Sequence, residues 1–316
     1  MSQQINPYMQ HKAIQDLKEQ MCEVGRRIWQ KGFCAGNEGN HSVRLPGAAG
    51  QERYLCTPTG ISKGFLEPAD ICLIDGESEL LERNGNDRKP SSEMKLHLAI
   101  YRHRPDVQAV IHSHPPHATA FAVANIPMPE AIHPEAEVFL GRVKTAPYAL
   151  PSTQALPDSV TPLIEDDTST VLMGNHGSVT FSDRGLIDAY YRLEILDAYA
   201  RILLLTKQLG RANVLSKDEM VDLLQVKRKF GFEDSRLACA DDGCIGEPNQ
   251  QFLATFEVHP AGASCSRDGG PVETRHAQNA DGTRHVDNGK VTDKKGNEAV
   301  FEQLVQTITD QIMAGR

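Results

Sequence analysis

Between residues 261 and 296 the chain reads AGASCSRDGGPVETRHAQNADGTRHVDNGKVTDKKG, a run with almost no large apolar side chain. Such a stretch cannot bury enough surface to offset the entropy of ordering it. It predicts a disordered linker, so a core must come from the residues before it. Those residues divide by pattern. Met9, Ile14, Leu17, Met21, Cys22, Val24 and Ile28 recur at helical spacing over 8–31, and Gly32 supplies a stop. From Gly32 to about Gly185, short apolar runs alternate with Gly, Pro, Asn and Asp. VQAVIHSH (107–114) and TVLMGNHGSVTFS (170–182) read as strands, with a helical stretch from Glu93 to Tyr101 ahead of the first. A long helix follows over 186–209, and Ser216 with Glu219 forms a capping-box pattern for another that ends near Phe230. Strands and helices mixed in this way predict one α/β or α+β domain over residues 1–235. Residues 236–296 then form an extension and linker, and 297–316 a separate helix.

Composition excludes several partners. A net charge of −9 and a pI near 5.7 argue against non-specific nucleic-acid binding, which needs a basic surface. No apolar run approaches the roughly 20 residues that span a bilayer, and the first thirty residues lack the apolar segment of a secretory signal. Seven cysteines, an odd number in a long chain, fit a reducing compartment. The expectation is an acidic cytoplasmic protein with neither a nucleic-acid nor a membrane partner.

The residues that carry chemistry are few. In a strand, side chains two apart share a face at roughly 6.5 Å, so His112 and His114 of VIHSH can point at one divalent ion. His176 sits between Gly174 and Gly177 in a second strand-like segment, and three imidazoles with an open fourth position suit a catalytic metal. Taken singly, each of these also reads as an ordinary turn or core histidine. Glu93 stands where a helix begins after Pro90; Ser91 and Ser92 can cap that helix or hold an anion with the free N–H groups. His97, one turn on, reads as a packed helix histidine. Cys239, Cys244, Cys265 and His259 are too irregularly spaced to predict a second metal site.

Six segments in order, GNHSVR (39–44), TPTG (57–60), KPSSE (89–93), HSH (112–114), APYALPST (146–153) and GNHG (174–177), resemble the class II aldolase/adducin family over roughly residues 10–230. The resemblance implies a three-layer α/β/α fold with a central, mainly antiparallel sheet, and a four-fold symmetric homotetramer with active sites at subunit junctions. It implies that His112, His114 and His176 bind Zn2+ or another divalent ion. Glu93 is then both a ligand of the resting metal and the catalytic proton carrier. Gly39, Asn40, Thr59, Gly60, Ser91 and Ser92 match the phosphate-binding segments; a nearby Gly36–Asn37 lacks the family's following x-S-V-R. The implied reaction is retro-aldol cleavage of a fuculose or rhamnulose 1-phosphate type of ketose to dihydroxyacetone phosphate and lactaldehyde. Where related aldolases carry a tyrosine as general acid toward the aldehyde oxygen, this chain has Pro134, which leaves His133, Tyr148 or a residue from the C-terminal region for the role. Pentulose-phosphate 4-epimerases share the chemistry but typically carry Asp where Glu93 stands. The resemblance also extends to methylthioribulose-phosphate dehydratases and to non-catalytic adducin-like interaction modules.

The last twenty residues recover a pattern. Phe301, Leu304, Val305, Ile308 and Ile312 line one helical stripe, with Asn297 as N-cap and Gly315 as terminator. A helix of about 18 residues gains stability only by burying that stripe. Tethered by the linker, it resembles the encapsulation peptides of bacterial microcompartment enzymes, which implies shell proteins as partners and a microcompartment lumen as the location. The stripe could equally fold back onto its own domain or the tetramer.

Overall fold

The computed structural model describes residues 7–47, 52–238 and 249–255. Its strands are β1 (Asn40–Leu45), β2 (Arg53–Cys56), β3 (Cys72–Ile74), β4 (Ala109–Ser113), β5 (Lys144–Ala146), β6 (Thr170–Met173) and β7 (Gly177–Ser182). They join in one sheet ordered β3-β2-β1-β4-β7-β6-β5, in which only β5 and β6 pair in parallel. This is the mainly antiparallel sheet the resemblance implied.

Both faces are covered, and the strand period of two decides what each face meets. In β4, Ala109 and Ile111 turn to the side of helices α1 (Pro7–Gln30) and α6 (Leu186–Gln208), where they join Met21, Val24, Ile28, Leu186 and Leu193. Val110 turns to the opposite side and joins Met94, Leu98 and Tyr101 of α2 (Met94–His103) with Leu156 of α5 (Ala155–Val160). His112 has the parity of Val110 and so faces α2. The layers are therefore helix, sheet and helix.

The long helices lie within a residue of their expected bounds. α7 (Lys217–Lys229) opens on the expected capping box: Ser216 Oγ accepts from the Glu219 amide and the Glu219 carboxylate accepts from the Ser216 amide. Three short helices, α3 (Pro116–Ala124), α4 (Pro134–Phe139) and α5, were not expected. Beyond 235, Arg236 is buried in an ionic cluster, and Asn249 and Phe252 of α8 (Asn249–Leu253) pack against Glu130 and Phe121. Cys22, Cys34, Cys56 and Cys72 are buried free thiols. The linker at 261–296, the stripe Phe301, Leu304, Val305, Ile308 and Ile312, and Cys239, Cys244, Cys265 and His259 lie outside the described residues. No described helix is long and apolar enough to cross a membrane.

Candidate metal centre

Register assembles the centre. Asn40 pairs with His112 across β1 and β4, so the two side chains share the face that α2 covers, and Glu93 is the residue that opens α2. Glu93 makes no capping bond there, which leaves its carboxylate for the sheet. His114 follows the last residue of β4, and its amide donates to Phe33 O at 2.9 Å. His176 arrives from the turn between β6 and β7. Gly177 makes that approach possible: a Cβ at this position would stand 2.5 Å from His114 Cδ2 and 2.8 Å from Ser113 O. Gly39 has φ of +72°, and a Cβ there would lie 3.1 Å from His112 O.

The three imidazole centroids are 4.7, 4.9 and 5.0 Å apart, and one ligand atom from each lies within 4.8 Å of the others. His112 Nδ1–H donates to Ser178 O at 2.9 Å, and His114 Nδ1–H donates to Glu38 Oε2 at 2.9 Å. Those partners assign the tautomers and leave each Nε2 with a lone pair turned inward. His112 Nε2 and His114 Nε2 are 3.2 Å apart. Two lone pairs at that separation repel unless a cation lies between them, and ligands at 2.0–2.1 Å around a tetrahedral ion are spaced about 3.3 Å. Glu93 stands beside two of the rings, with Oε2 3.2 Å from His112 Nε2 and Oε1 3.7 Å from His176 Nε2. Asn40 Nδ2 donates to Glu93 Oε2 at 2.8 Å. The donor set fits a divalent ion such as zinc.

Electrostatics prepare the same outcome. Burial alone would raise the Glu93 pKa, but positive charge on the His112 side and the hydrogen bond from the Asn40 amide outweigh it and hold the carboxyl well below the usual range; with His112 a neutral ligand, a bound divalent ion would supply that charge. Burial, with His112 nearby, lowers His176 to about 4 and lowers His114 as well, against the pull of Glu93 and Glu38. Both rings are neutral at pH 7, the form that ligates.

The other expected residues divide. Thr59 N donates to Lys89 O at 3.0 Å and Ser91 N to Thr57 O at 3.2 Å, so TPTG and KPSSE run side by side. Thr57 N donates in turn to His41 O at 3.0 Å, bringing Gly39 and Asn40 alongside. Ser91 Oγ accepts from the Glu93 amide at 3.4 Å, a weak version of the expected cap, while Ser92 Oγ pairs with Ser152 Oγ at 2.9 Å. The three segments that carry Gly39, Asn40, Thr59, Gly60, Ser91 and Ser92 thus lie side by side, and Asn40, opposite His112 in the sheet and bonded to Glu93, is their link to the histidines. His133 instead has Glu135 at 3.4 Å and stacks on Tyr199, Tyr148 is 59% exposed, and among the described residues neither is joined to the three histidines by a hydrogen bond or ring contact. His97 is a buried helix histidine, as expected, 2.7 Å from Ser42 Oγ. Glu38 was missed. An acid one residue before the Gly39–Asn40 motif was its only signal.

Residues 19–204 match the family described as Class II Aldolase and Adducin N-terminal domain. An L-fuculose phosphate aldolase from Methanococcus vannielii is 33% identical over 187 residues, 59% of this chain and 94% of that protein. A 3-oxo-tetronate 4-phosphate decarboxylase from Haemophilus influenzae is 34% identical over 211 residues, 65% of this chain and 95% of that one. A solved L-fuculose 1-phosphate aldolase superposes with a TM-score of 0.60 at 29% identity, covering 69% of this chain and 97% of its own.

Proposed function

The chain belongs to the class II aldolase and adducin family, and from that premise we propose that it is a zinc-dependent aldolase. Its substrate is a ketose 1-phosphate of the fuculose or rhamnulose type, cleaved to dihydroxyacetone phosphate and lactaldehyde. The observation that carries this reading is the meeting of three imidazoles on one point, with the Glu93 carboxylate against two of them.

Held by His112, His114 and His176, the ion would polarise the ketose carbonyl as a Lewis acid. Glu93 moves the proton. As an anion it can remove a proton from the reacting carbon of dihydroxyacetone phosphate in the direction of synthesis, and by reversibility it returns that proton in cleavage. Asn40 Nδ2 keeps Glu93 Oε2 oriented for the transfer. The phosphate is assigned to the segments of Gly39, Asn40, Thr59, Gly60, Ser91 and Ser92, whose hydroxyls and amides would fix the reacting carbon by a remote grip. Of the candidates for the acid at the aldehyde oxygen (His133, Tyr148 or a residue from the C-terminal region), we favour Tyr148, because its segment joins Ser92 through Ser152. In a homotetramer with sites at subunit junctions, Tyr148 or His133 would act on a neighbouring protomer's substrate. Docking of residues 297–316 on microcompartment shell proteins belongs to the same proposal. Deleting them should move the enzyme from shell fractions to the cytosol, and an unchanged partition would remove that part.

The test is incubation of the metal-loaded protein with fuculose 1-, rhamnulose 1- and ribulose 5-phosphates. Release of dihydroxyacetone phosphate from one of the first two is expected; epimerised pentulose with no release from any would overturn the reading. A second reading, decarboxylation of a 3-oxo acid phosphate, draws support from Pro134. Carbon dioxide leaves without exchanging a proton, so that reaction does not need the tyrosine this chain lacks. Its signature is carbon dioxide release from 3-oxo-tetronate 4-phosphate.

A further inference from the structure

Lys63 begins the 3-10 turn Lys63–Phe65 and is 1% exposed. A lysine is seldom buried so completely unless its ammonium is satisfied. Among the described residues no carboxylate pairs with it; Nζ donates instead to two backbone carbonyls, Asn37 O at 3.0 Å and Ile61 O at 2.8 Å. The two carbonyls belong to different segments. Asn37 immediately precedes Glu38, Gly39 and Asn40, while Ile61 immediately follows Thr59 and Gly60. One ammonium therefore bridges the two loops to which phosphate binding is assigned above, and the first of them also carries Glu38, the partner of His114.

The turn that bears Lys63 is itself clamped. A Cβ at Gly25 of α1 would stand 2.5 Å from Lys63 O, and one at Gly64 would stand 2.5 Å from Trp29 Cγ. Close backbone packing against α1 thus gives the ammonium a fixed base. Burial pushes the Lys63 pKa down to about 8, against the pull of Cys34, Glu38 and Glu93. It is still cationic at neutral pH. The other groups assigned to the phosphate are neutral amides and hydroxyls.

We propose that Lys63 is a positioning residue for substrate phosphate: it locks the Gly39–Asn40 and Thr59–Gly60 segments at one separation and sets a buried positive charge behind them. The inference rests on the reading of those segments as the phosphate site. It asks for a ligand with a phosphate group and makes no demand on the metal.

Calorimetric titration of the zinc-loaded full-length protein with dihydroxyacetone phosphate, a product under both readings above, separates the possibilities. Lys63→Met removes the charge and both donors at similar length, and Lys63→Gln keeps N–H donors without charge. Lys63→Met is expected to weaken dihydroxyacetone phosphate binding at least tenfold with zinc content unchanged, and Lys63→Gln to fall between it and the wild type. In turnover the loss should appear in KM, with kcat kept within threefold. Affinity within twofold of wild type, or loss of zinc in either variant, overturns the proposal. Should Lys63→Met fail to fold, Lys63→Gln is judged alone by a loss of threefold or more with zinc retained. Failure of the wild type itself to bind dihydroxyacetone phosphate would instead sink the functional reading.

Discussion

Glu93 opens a helix, and its local sequence offered two uses for it: a first-turn acid stabilised by the helix dipole, or a catalytic carboxylate. Its side chain is spent on Asn40 and His112, 53 and 19 residues away in sequence, and no local pattern encodes such partners. The HxH pair was legible because strand periodicity alone puts both rings together; Glu38 and Lys63 were not, since they stand outside the regular strands and α-helices, on segments whose path periodicity does not fix. Glu93→Gln keeps the size and one acceptor but not the base, and should lower turnover by about 10²–10⁴-fold. It should retain more zinc than His114→Ala; equal metal loss in both, read by atomic absorption, would count against a proton-carrying role. Buried imidazoles set the acid limit of stability. Burial lowers His41 and His97 to about 3 and His176 to about 4, against an ordinary value of 6.5. Between those values the unfolded chain binds more protons than the folded one, so this stability is full above about pH 6.5 and drains as pH falls toward 3–4. Glu93, held low, adds a loss in the same direction below its ordinary 4.5. Melting of the metal-free protein from about pH 8 to 4 should show a plateau, then a Tm that declines from about 6.5; a flat Tm down to about 4.5 would mean these rings are not held neutral by burial.

Among the elements, length decided what could be read. α1 and α6, of 24 and 23 residues, carry several turns of periodic pattern, whereas α4 and α5 have six residues each and β3 and β5 three, too few for a period to emerge. The parallel pairing of β5 with β6 is likewise set by the crossover between them, which a one-dimensional pattern does not reveal. GNHG reads in sequence as a metal motif flanked by permissive glycines, and the structure narrows the demand to one contact. The turn between β6 and β7 reaches His114 only because residue 177 has no Cβ. Gly177→Ala would force a methyl to 2.5 Å from the His114 ring and 2.8 Å from Ser113 O, so β7 must retreat from β4 at the end that holds His176. We expect a destabilisation of about 1–3 kcal/mol from overpacking and at least a tenfold loss of zinc affinity, since the third ring moves with the turn. Urea denaturation and competition with a chelator measure the two separately. Unchanged zinc affinity in a destabilised variant would show that the turn relaxes without moving His176.

At the scale of the molecule, the boundary drawn at 235 marks where apolar patterning fades, and ionic packing carries on past it. Arg236 is almost fully buried and bonds to Asp234 at 2.8 and 2.9 Å and to Glu137 at 2.7 Å; Lys227 bonds to Asp234 at 2.7 Å. Glu130 lies 3.4 Å from Arg236 and also accepts from Arg142. This cluster ties α4 to α7 and to the segment after 235, and charged residues scattered from 130 to 236 give no sign in sequence that they meet. Taking so many charges out of water is costly, and a buried pair can be neutral or worse than an apolar replacement when both partners are exchanged together. Removing one partner is different: without Arg236 the buried Glu137 loses the counter-charge beside it, and Asp234 and Glu130 are left with Lys227 and Arg142. Arg236→Met should therefore cost about 3–5 kcal/mol, lowering the urea midpoint of the full chain, whereas Arg236→Met with Glu137→Leu should recover a substantial part of that loss. If the double variant were as unstable as the sum of its single changes, Arg236 would be acting through its packing, and the ionic account of how the segment after 235 holds to the domain would be wrong.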